Sequence, residues 1–544
     1  MTRFFSISKL VFSSLLAALV FCAAAGAQEH CSNIETAQGP VDGREILGGR
    51  MCEYLGIPYA ASPVDELRFA APQPAEFRDE TFEADSFGDM CMQYPLSLFE
   101  PPELSGSEDC LTLNIWRRTE PLERKLPVMV FVHGGGFKFG SSSEELYVGT
   151  KLAGIGGVVV VSFNYRLGPL GFFGHPALEE EEHLGNFGLL DQIAALKWVR
   201  ENIEAFGGDP ENITIFGESA GGMSVGLMLV NPGTDGLFNR AVIESGPMVR
   251  FGHSREKAAE ITLDMAEEFG CVDGDVEQCL REVPAEKFFD FVNPGFSMGP
   301  ASDGEDGRRT YNFRPVIDGK VVPDNILSEL REGSFNRDVK LIMGFNSDEA
   351  SLFTMTMQIE TEEKYRQKVR EALEQRGHEF GVGVEVLEEI MTLYPAEDYE
   401  TPEKAYIDLV SDMAFGCPAV IAADTMTGFD AELYLYEFGK SPSNLNIGKD
   451  LGAFHAVEVM YIFSNFKYLG FDIESKSNKE FARRVLRLWA SFAHSGTPSG
   501  GDFPQWPKYE PDSKSYLYIN DAAEVRSDYK ARQCDFFDRI LQND

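Results

Sequence analysis

The chain has 544 residues, of which 43% are hydrophobic, and its 87 acidic against 48 basic side chains set a formal net charge of −39. That acidic excess excludes nucleic acid and anionic membranes as expected partners. It reads instead as a solvated surface that keeps the protein dispersed, with the run from Glu179 to Glu182 exposed.

In chain order the first element is the segment 1–27. Arg3 and Lys9 precede an apolar run that ends in the small-residue site Ala25, Gly26, Ala27, the pattern of a secretory signal peptide cleaved before Gln28. A lipid anchor on Cys22 is the competing reading, set aside because Phe21 stands where a small residue is wanted. No later stretch reads as a bilayer-spanning run, and the final ILQND carries neither a retention signal nor a hydrophobic tail, so no stable membrane insertion is expected. The predicted product is soluble and secreted or periplasmic. Without a linker, composition break or repeat, residues 28–544 are expected to form one large domain with insertions. Removing Cys22 from nine cysteines leaves an even number in an oxidising compartment, which predicts disulfides and no metal site.

Apolar, β-branched runs follow at 127–133, 158–163, 213–216, 241–245, 341–345 and 432–438. Strands so uniformly apolar are buried on both faces. Between them, 189–203 and 219–229 have helical spacing, and the alternation predicts an α/β fold with a doubly wound, mostly parallel sheet flanked by helices.

One of these strands runs directly into IFGESAGG, 215–222. A serine on a strand-to-helix turn takes a cramped backbone conformation that leaves no room for side chains two residues before and after it, which accounts for Gly217 and Gly221. The following helix points its positive end at Ser219. HGGGF, 133–137, ends an earlier strand; its successive glycines expose backbone N–H groups able to bind an oxyanion, and no G-x-x-x-x-G-K-[ST] pattern supports a phosphate loop instead. A serine hydroxyl needs a base. Of the histidines after Ser219, His253 leaves little chain for an acid, His378 lies in a polar loop, and His494 ends a helix. His455, after a glycine and among apolar residues, is the best base. The acid then lies on NSDEA, where spacing does not choose between Asp348 and Glu349.

Taken together, GIPYA (56–60), EDCLTLNIW (108–116), HGGGF, GNFGLLDQ (185–192), FGGDPENITIFGESAGG (206–222), PVIDG (315–319) and NSDEA (346–350) resemble the type-B carboxylesterase/lipase family, which includes cholinesterases, bacterial esterases and fungal lipases. The resemblance implies an α/β-hydrolase fold and a secreted serine ester hydrolase that works through an acyl-enzyme, with small-molecule ester substrates and no cofactor. It assigns the acid to Glu349, with Ala350 replacing the usual glycine, and completes a triad with Ser219 and His455. It puts the oxyanion donors on the backbone of Gly135, Gly136 and Ala220 and gives Glu218, Ser245 and Glu458 supporting roles around His455. It pairs Cys91 with Cys110, Cys271 with Cys279 and Cys417 with Cys534, leaving Cys31 and Cys52, which flank an expected hairpin and are free to pair with each other by default, a pairing that spacing does not prove.

The tryptophan that cholinesterases place in the loop between the first pair of cysteines has no counterpart between Met92 and Asp109, where only Tyr94 and Phe99 offer weaker faces. Leu352 makes the pocket beside the acid look aliphatic. Uncharged carboxylic esters are therefore expected over choline esters. The alternatives are a lipase for longer-chain acylglycerols and an esterase-like binding protein without catalysis.

Overall fold

The structure is a computed structural model that describes residues 30–542 apart from 97–101, 120–123, 180–182, 249–251, 294–301, 304–308, 378–381, 444, 446–448, 469 and 501. The expected signal segment 1–27, Phe99, most of the Glu179–Glu182 run and His378 lie outside the described residues.

Eleven strands form the main sheet: β1 (Arg44–Ile46), β2 (Met51–Pro58), β3 (Thr112–Arg118), β4 (Leu126–Val132), β5 (Val159–Phe163), β6 (Gly208–Glu218), β7 (Arg240–Glu244), β8 (Lys340–Asn346), β9 (Leu433–Phe438), β10 (Ser515–Ile519) and β11 (Glu524–Ser527). Their spatial order is β11-β10-β9-β8-β7-β6-β4-β5-β3-β2-β1. The stretch from β10 to β5 is parallel throughout, and the strands outside it pair antiparallel. All six strands read from sequence lie in the parallel centre, where both faces are covered and the apolar run is continuous.

Side chains alternate across the sheet, so one strand feeds two cores. Val128, Val130 and Val132 of β4 enter one, with Leu196 and Val199 of helix Phe187–Asn202 and Met223 and Leu227 of helix Ala220–Val230. Met129 and Phe131 enter the other, with Val485, Trp489 and Phe492 of helix Lys476–Ser495. This two-sided covering is the predicted double winding. The parallel register sets Val132 beside Gly217 and Glu218 beside Glu244, bringing the loops after β4, β6 and β7 together at the carboxyl edge.

The helical stretch Pro402–Thr427 is long and apolar enough to cross a membrane by composition, a feature not read from the sequence, yet 89% of its most apolar window is buried inside the protein. Its one deeply buried charge is satisfied there: Asp412 accepts from the hydroxyls of Tyr529 (2.7 Å) and Tyr394 (2.9 Å) and from Lys530 Nζ (2.8 Å).

Four disulfides are formed: Cys91–Cys110, Cys271–Cys279, Cys417–Cys534 and also Cys31–Cys52, which flank the antiparallel hairpin Ile34–Thr36/Gly39–Asp42. Cys417–Cys534 closes a separation of 117 residues and Cys91–Cys110 one of 19. Loop-closure entropy makes these worth about 5 and about 3 kcal/mol. The double variant Cys417→Ser/Cys534→Ser is accordingly expected to lose more Tm in calorimetry than Cys91→Ser/Cys110→Ser, and the reverse order would contradict this reading.

Candidate active site

Ser219 sits between the end of β6 and the first turn of helix Ala220–Val230 with φ 57° and ψ −121°, a strained conformation for a residue with a side chain. Two bonds hold it: its N–H donates to Glu244 O at 2.9 Å, and its carbonyl accepts from Met223 N–H at 2.8 Å. The close approach depends on Gly221, where a Cβ would stand 2.0 Å from Val132 O. The strain is therefore imposed by the packing of β4 against the helix.

The glycine loop leaves β4 beside this turn. Gly135 has φ 105°, and a Cβ on it would fall 1.9 Å from Phe139 O. Its carbonyl accepts from Lys138 N–H at 3.0 Å and Phe139 N–H at 3.2 Å, curling the loop on itself. Among the described residues, the N–H groups of Gly135, Gly136 and Ala220 donate no hydrogen bond. Gly135 and Gly136 line a cavity of about 350 Å³ together with Ser219 and His455. His133 anchors the loop's start, stacked on Tyr165 at 4.4 Å between centroids, with its carbonyl accepting from the Tyr165 hydroxyl at 2.9 Å. Burial pushes the His133 imidazole down to about 4, so it is neutral at ordinary pH.

His455 precedes helix Val457–Ile462, and its Nδ1 lies 2.5 Å from Glu349 Oε2. Glu349 is fully buried, and its other oxygen accepts from Asn346 N–H at 2.7 Å. Ala350, where the resemblance expects glycine, begins the short helix Ala350–Phe353, which alanine enters without strain. Asp348 turns elsewhere, accepting from Lys404 Nζ at 2.7 Å and from Ala453 N–H at 3.0 Å. Of the two carboxylates that spacing left open, Glu349 is the one that meets His455. The other histidines stand apart: His253 Nε2 is 2.8 Å from Asn312 O, and His494 Nε2 is 3.0 Å from Gly156 O.

The expected supporting residues gather around His455. Glu218 Oε1 is 3.0 Å from His455 Nε2, and Glu458 accepts from Asn346 Nδ2 at 2.5 Å and from the Ser245 hydroxyl at 3.4 Å. Glu244, not singled out in the sequence, is a further buried acid, held by Trp489 Nε1 at 2.6 Å. Burial pushes Glu218 up against the pull of His455, and burial with the neighbouring Glu218 and Glu349 pushes Glu458 up. Burial alone would lower the His455 imidazole, but Glu218 and then Glu349 outweigh it and raise it to about 9.

A base must be neutral to take a proton. The carboxylates favour imidazolium, so activity is expected to fall as pH drops through the raised His455 value. Glu218→Gln removes one attracting charge, lowers that value and should move the acidic limb of the kcat/KM profile down by roughly one pH unit. A limb that stays in place or moves upward would show that Glu218 does not tune the ring.

Two aromatic rings at His455 escaped the sequence reading, Phe353 at 5.0 Å and Phe415 at 4.9 Å between centroids. Phe353 lines the cavity with Leu352, because adjacent positions of the short helix both reach it. The wall beside Glu349 is therefore part aromatic, which corrects the aliphatic expectation. Tyr94 packs against Phe289 at 6.3 Å and does not line the cavity.

A parallel sheet wound on both faces, with a strained serine at the carboxyl edge between a glycine loop and a histidine–glutamate pair, defines an α/β-hydrolase. The carboxylesterase family matches residues 30–537, so the chain belongs to that family and is a carboxylic ester hydrolase. It is 34% identical over 505 residues to the para-nitrobenzyl esterase of Bacillus subtilis (strain 168), covering 91% of this chain and 96% of that protein. To the liver carboxylesterase of Sus scrofa it is 34% identical over 537 residues, covering 94% and 93%. A solved PNB esterase superposes with a TM-score of 0.76 at 31% identity, over 94% of this chain and all of that one. The four disulfides are consistent with an oxidising compartment.

Proposed function

We propose that residues 28–544 act as one exported domain, an esterase in which Ser219 attacks the ester carbonyl. His455 takes its proton and returns it to the departing alcohol; Glu349 holds the imidazole tautomer. The N–H groups of Gly135, Gly136 and Ala220 receive the oxyanion, and water then repeats the cycle on the acyl-enzyme. The observation that carries this reading is that His455, whose Nδ1 lies 2.5 Å from buried Glu349, lines the same cavity as Ser219.

The preferred substrates are uncharged carboxylic esters. All four tryptophans, Trp116, Trp198, Trp489 and Trp506, are buried away from the cavity, so the indole face that binds a quaternary ammonium best is missing there, although the rings of Phe139, Tyr147, Phe353 and Tyr468 line it. A fluorophosphonate should label Ser219, located by peptide mapping, and a propyl butyrate should be turned over with higher kcat/KM than butyrylcholine. A folded protein that takes no label would point to binding without catalysis. Faster hydrolysis of butyrylcholine would overturn the substrate preference.

A further inference from the structure

Gln93 is 2% exposed and lines the cavity beside the glycine loop. Its amide is bonded at both ends: Nε2 donates to Gly140 O and to Cys91 O, each at 2.9 Å, and Oε1 accepts from Gly140 N–H at 2.7 Å. One side chain thus takes both backbone groups of one buried residue, as a paired strand would. The chemistry calls for an amide. A carboxylate of the same shape would set an oxygen against two carbonyls, and an apolar chain would leave the Gly140 N–H and C=O without these partners.

Gly140 closes the glycine loop on its own start. At φ 111° it packs so closely that a Cβ would stand 2.6 Å from His133 Nδ1 and 2.8 Å from Gly134 O. Beside it, Phe139 N–H donates to Gly135 O at 3.2 Å. A shift of Gly140 therefore moves Gly134 and Gly135, and with them the N–H groups read above as oxyanion donors. On its far side Gln93 is held by backbone: its N–H donates to Ser105 O at 2.9 Å, and its carbonyl accepts from Ser105 N–H at 3.0 Å. Two residues earlier, buried Cys91 is bonded to buried Cys110, which stands two residues before β3. The path from the sheet to the donors runs through Cys110, Cys91, Gln93 and Gly140 by a disulfide and buried hydrogen bonds. A run of glycines has wide conformational freedom of its own, so the aim of its N–H groups has to be fixed from outside the run.

We propose that Gln93 is a positioning residue for the oxyanion site: its amide holds Gly140, and through it the glycine loop, in place beside Ser219, and the Cys91–Cys110 bridge serves the reaction by fixing Gln93. This rests on the esterase reading and goes beyond it. The bridge then has a role in rate that is separate from its role in stability.

The test compares an alkyl trifluoromethyl ketone with the alcohol made by reducing it. Ser219 adds to the ketone, its proton passing to His455, and the adduct leaves an oxyanion on the loop; the alcohol fills the same space but has no carbonyl to attack. Gln93→Met keeps the length of the side chain and removes its three bonds. It should lower kcat on a p-nitrophenyl ester roughly tenfold, less than the loss of a donor outright, with KM within about twofold. The Ki of the ketone should rise by the same factor while that of the alcohol holds. Cys91→Ser/Cys110→Ser should show a smaller shift of the same kind, and Cys271→Ser/Cys279→Ser, which opens a bridge elsewhere, should keep the parental ketone-to-alcohol ratio. Because both inhibitors are measured on one preparation, their ratio is unaffected by any general loss of folded protein. Should Gln93→Met not fold, Gln93→Glu, which keeps the length and the acceptor, gives the same reading. A parental ratio in the Gln93 variant, however far its Tm falls, overturns the positioning role. A parental ratio in the Cys91/Cys110 variant, or an equal shift in the Cys271/Cys279 one, overturns the link to the bridge. A wild-type protein that binds the ketone no tighter than the alcohol and hydrolyses no ester refutes the esterase mechanism itself, and this inference with it.

Discussion

Ser219→Ala is expected to lower kcat on a p-nitrophenyl ester by about a millionfold, and Glu349→Gln by about ten-thousandfold, each with the circular dichroism of the parent. The first change removes the proposed nucleophile. The second keeps shape but replaces a carboxylate that accepts from His455 Nδ1 with an amide that also donates, so the ring no longer presents the tautomer needed at Nε2. Glu349 is fully buried and bonded to Asn346 N–H at 2.7 Å, which limits how far a glutamine can turn. Asp348→Asn is the discriminating control, since that carboxylate is committed to Lys404 and Ala453 N–H. Its effect should be on local stability. If Asp348→Asn were crippling and Glu349→Gln nearly silent in steady-state kinetics, the assignment of the acid would be wrong.

Gly135→Ala is expected to cost roughly a hundredfold to a thousandfold in kcat while leaving the bulk of the fold intact, because the loop's donors are useful only if aimed at one point. At φ 105° an L residue is strained whatever the space, and the new methyl would lie 1.9 Å from Phe139 O, a backbone atom that cannot rotate aside. The loop must shift, and its N–H groups shift with it. Gly154→Ala is the matched control: it lies in helix Thr150–Gly156, and a Cβ there would meet Met51 Sδ at 3.4 Å, an ordinary contact. Steady-state rates and the second-order rate of fluorophosphonate labelling should both fall for Gly135→Ala and not for Gly154→Ala. Near-normal kinetics in a folded Gly135→Ala protein would remove this loop from the oxyanion site.

What was legible before the fold was known follows local rules. The six central strands are continuous apolar runs because both faces of a parallel sheet are covered, and such runs survive in one dimension. The turn at Ser219 was legible because its steric demand falls on residues two positions away in the chain, Gly217 and Gly221. The outer strands β1, β2, β3, β10 and β11 were not, since they are short or mixed in character and take their place by pairing with neighbours in the sheet. Disulfides were expected from the even cysteine count, and the Cys31–Cys52 bond, left open by spacing, forms across the expected hairpin.

By itself, then, the sequence determined the class of sheet, the strand-to-helix serine, the glycine loop and the short set of histidines and acids from which a site could be drawn. Tertiary structure decided which members of that set meet. Glu349 and His455 are separated by 106 residues, and Glu218 at the end of β6 meets His455 from the loop before helix Val457–Ile462. It also decided what surrounds them: the rings of Phe353 and Phe415 on His455, the buried Glu244 held by Trp489, and Glu144 in the cavity wall. The reason is physical. Backbone preference and hydrophobic period act over a few residues and leave a local trace, whereas the direction of a side chain, its desolvation and its charged neighbours depend on segments that become adjacent only when the chain has packed.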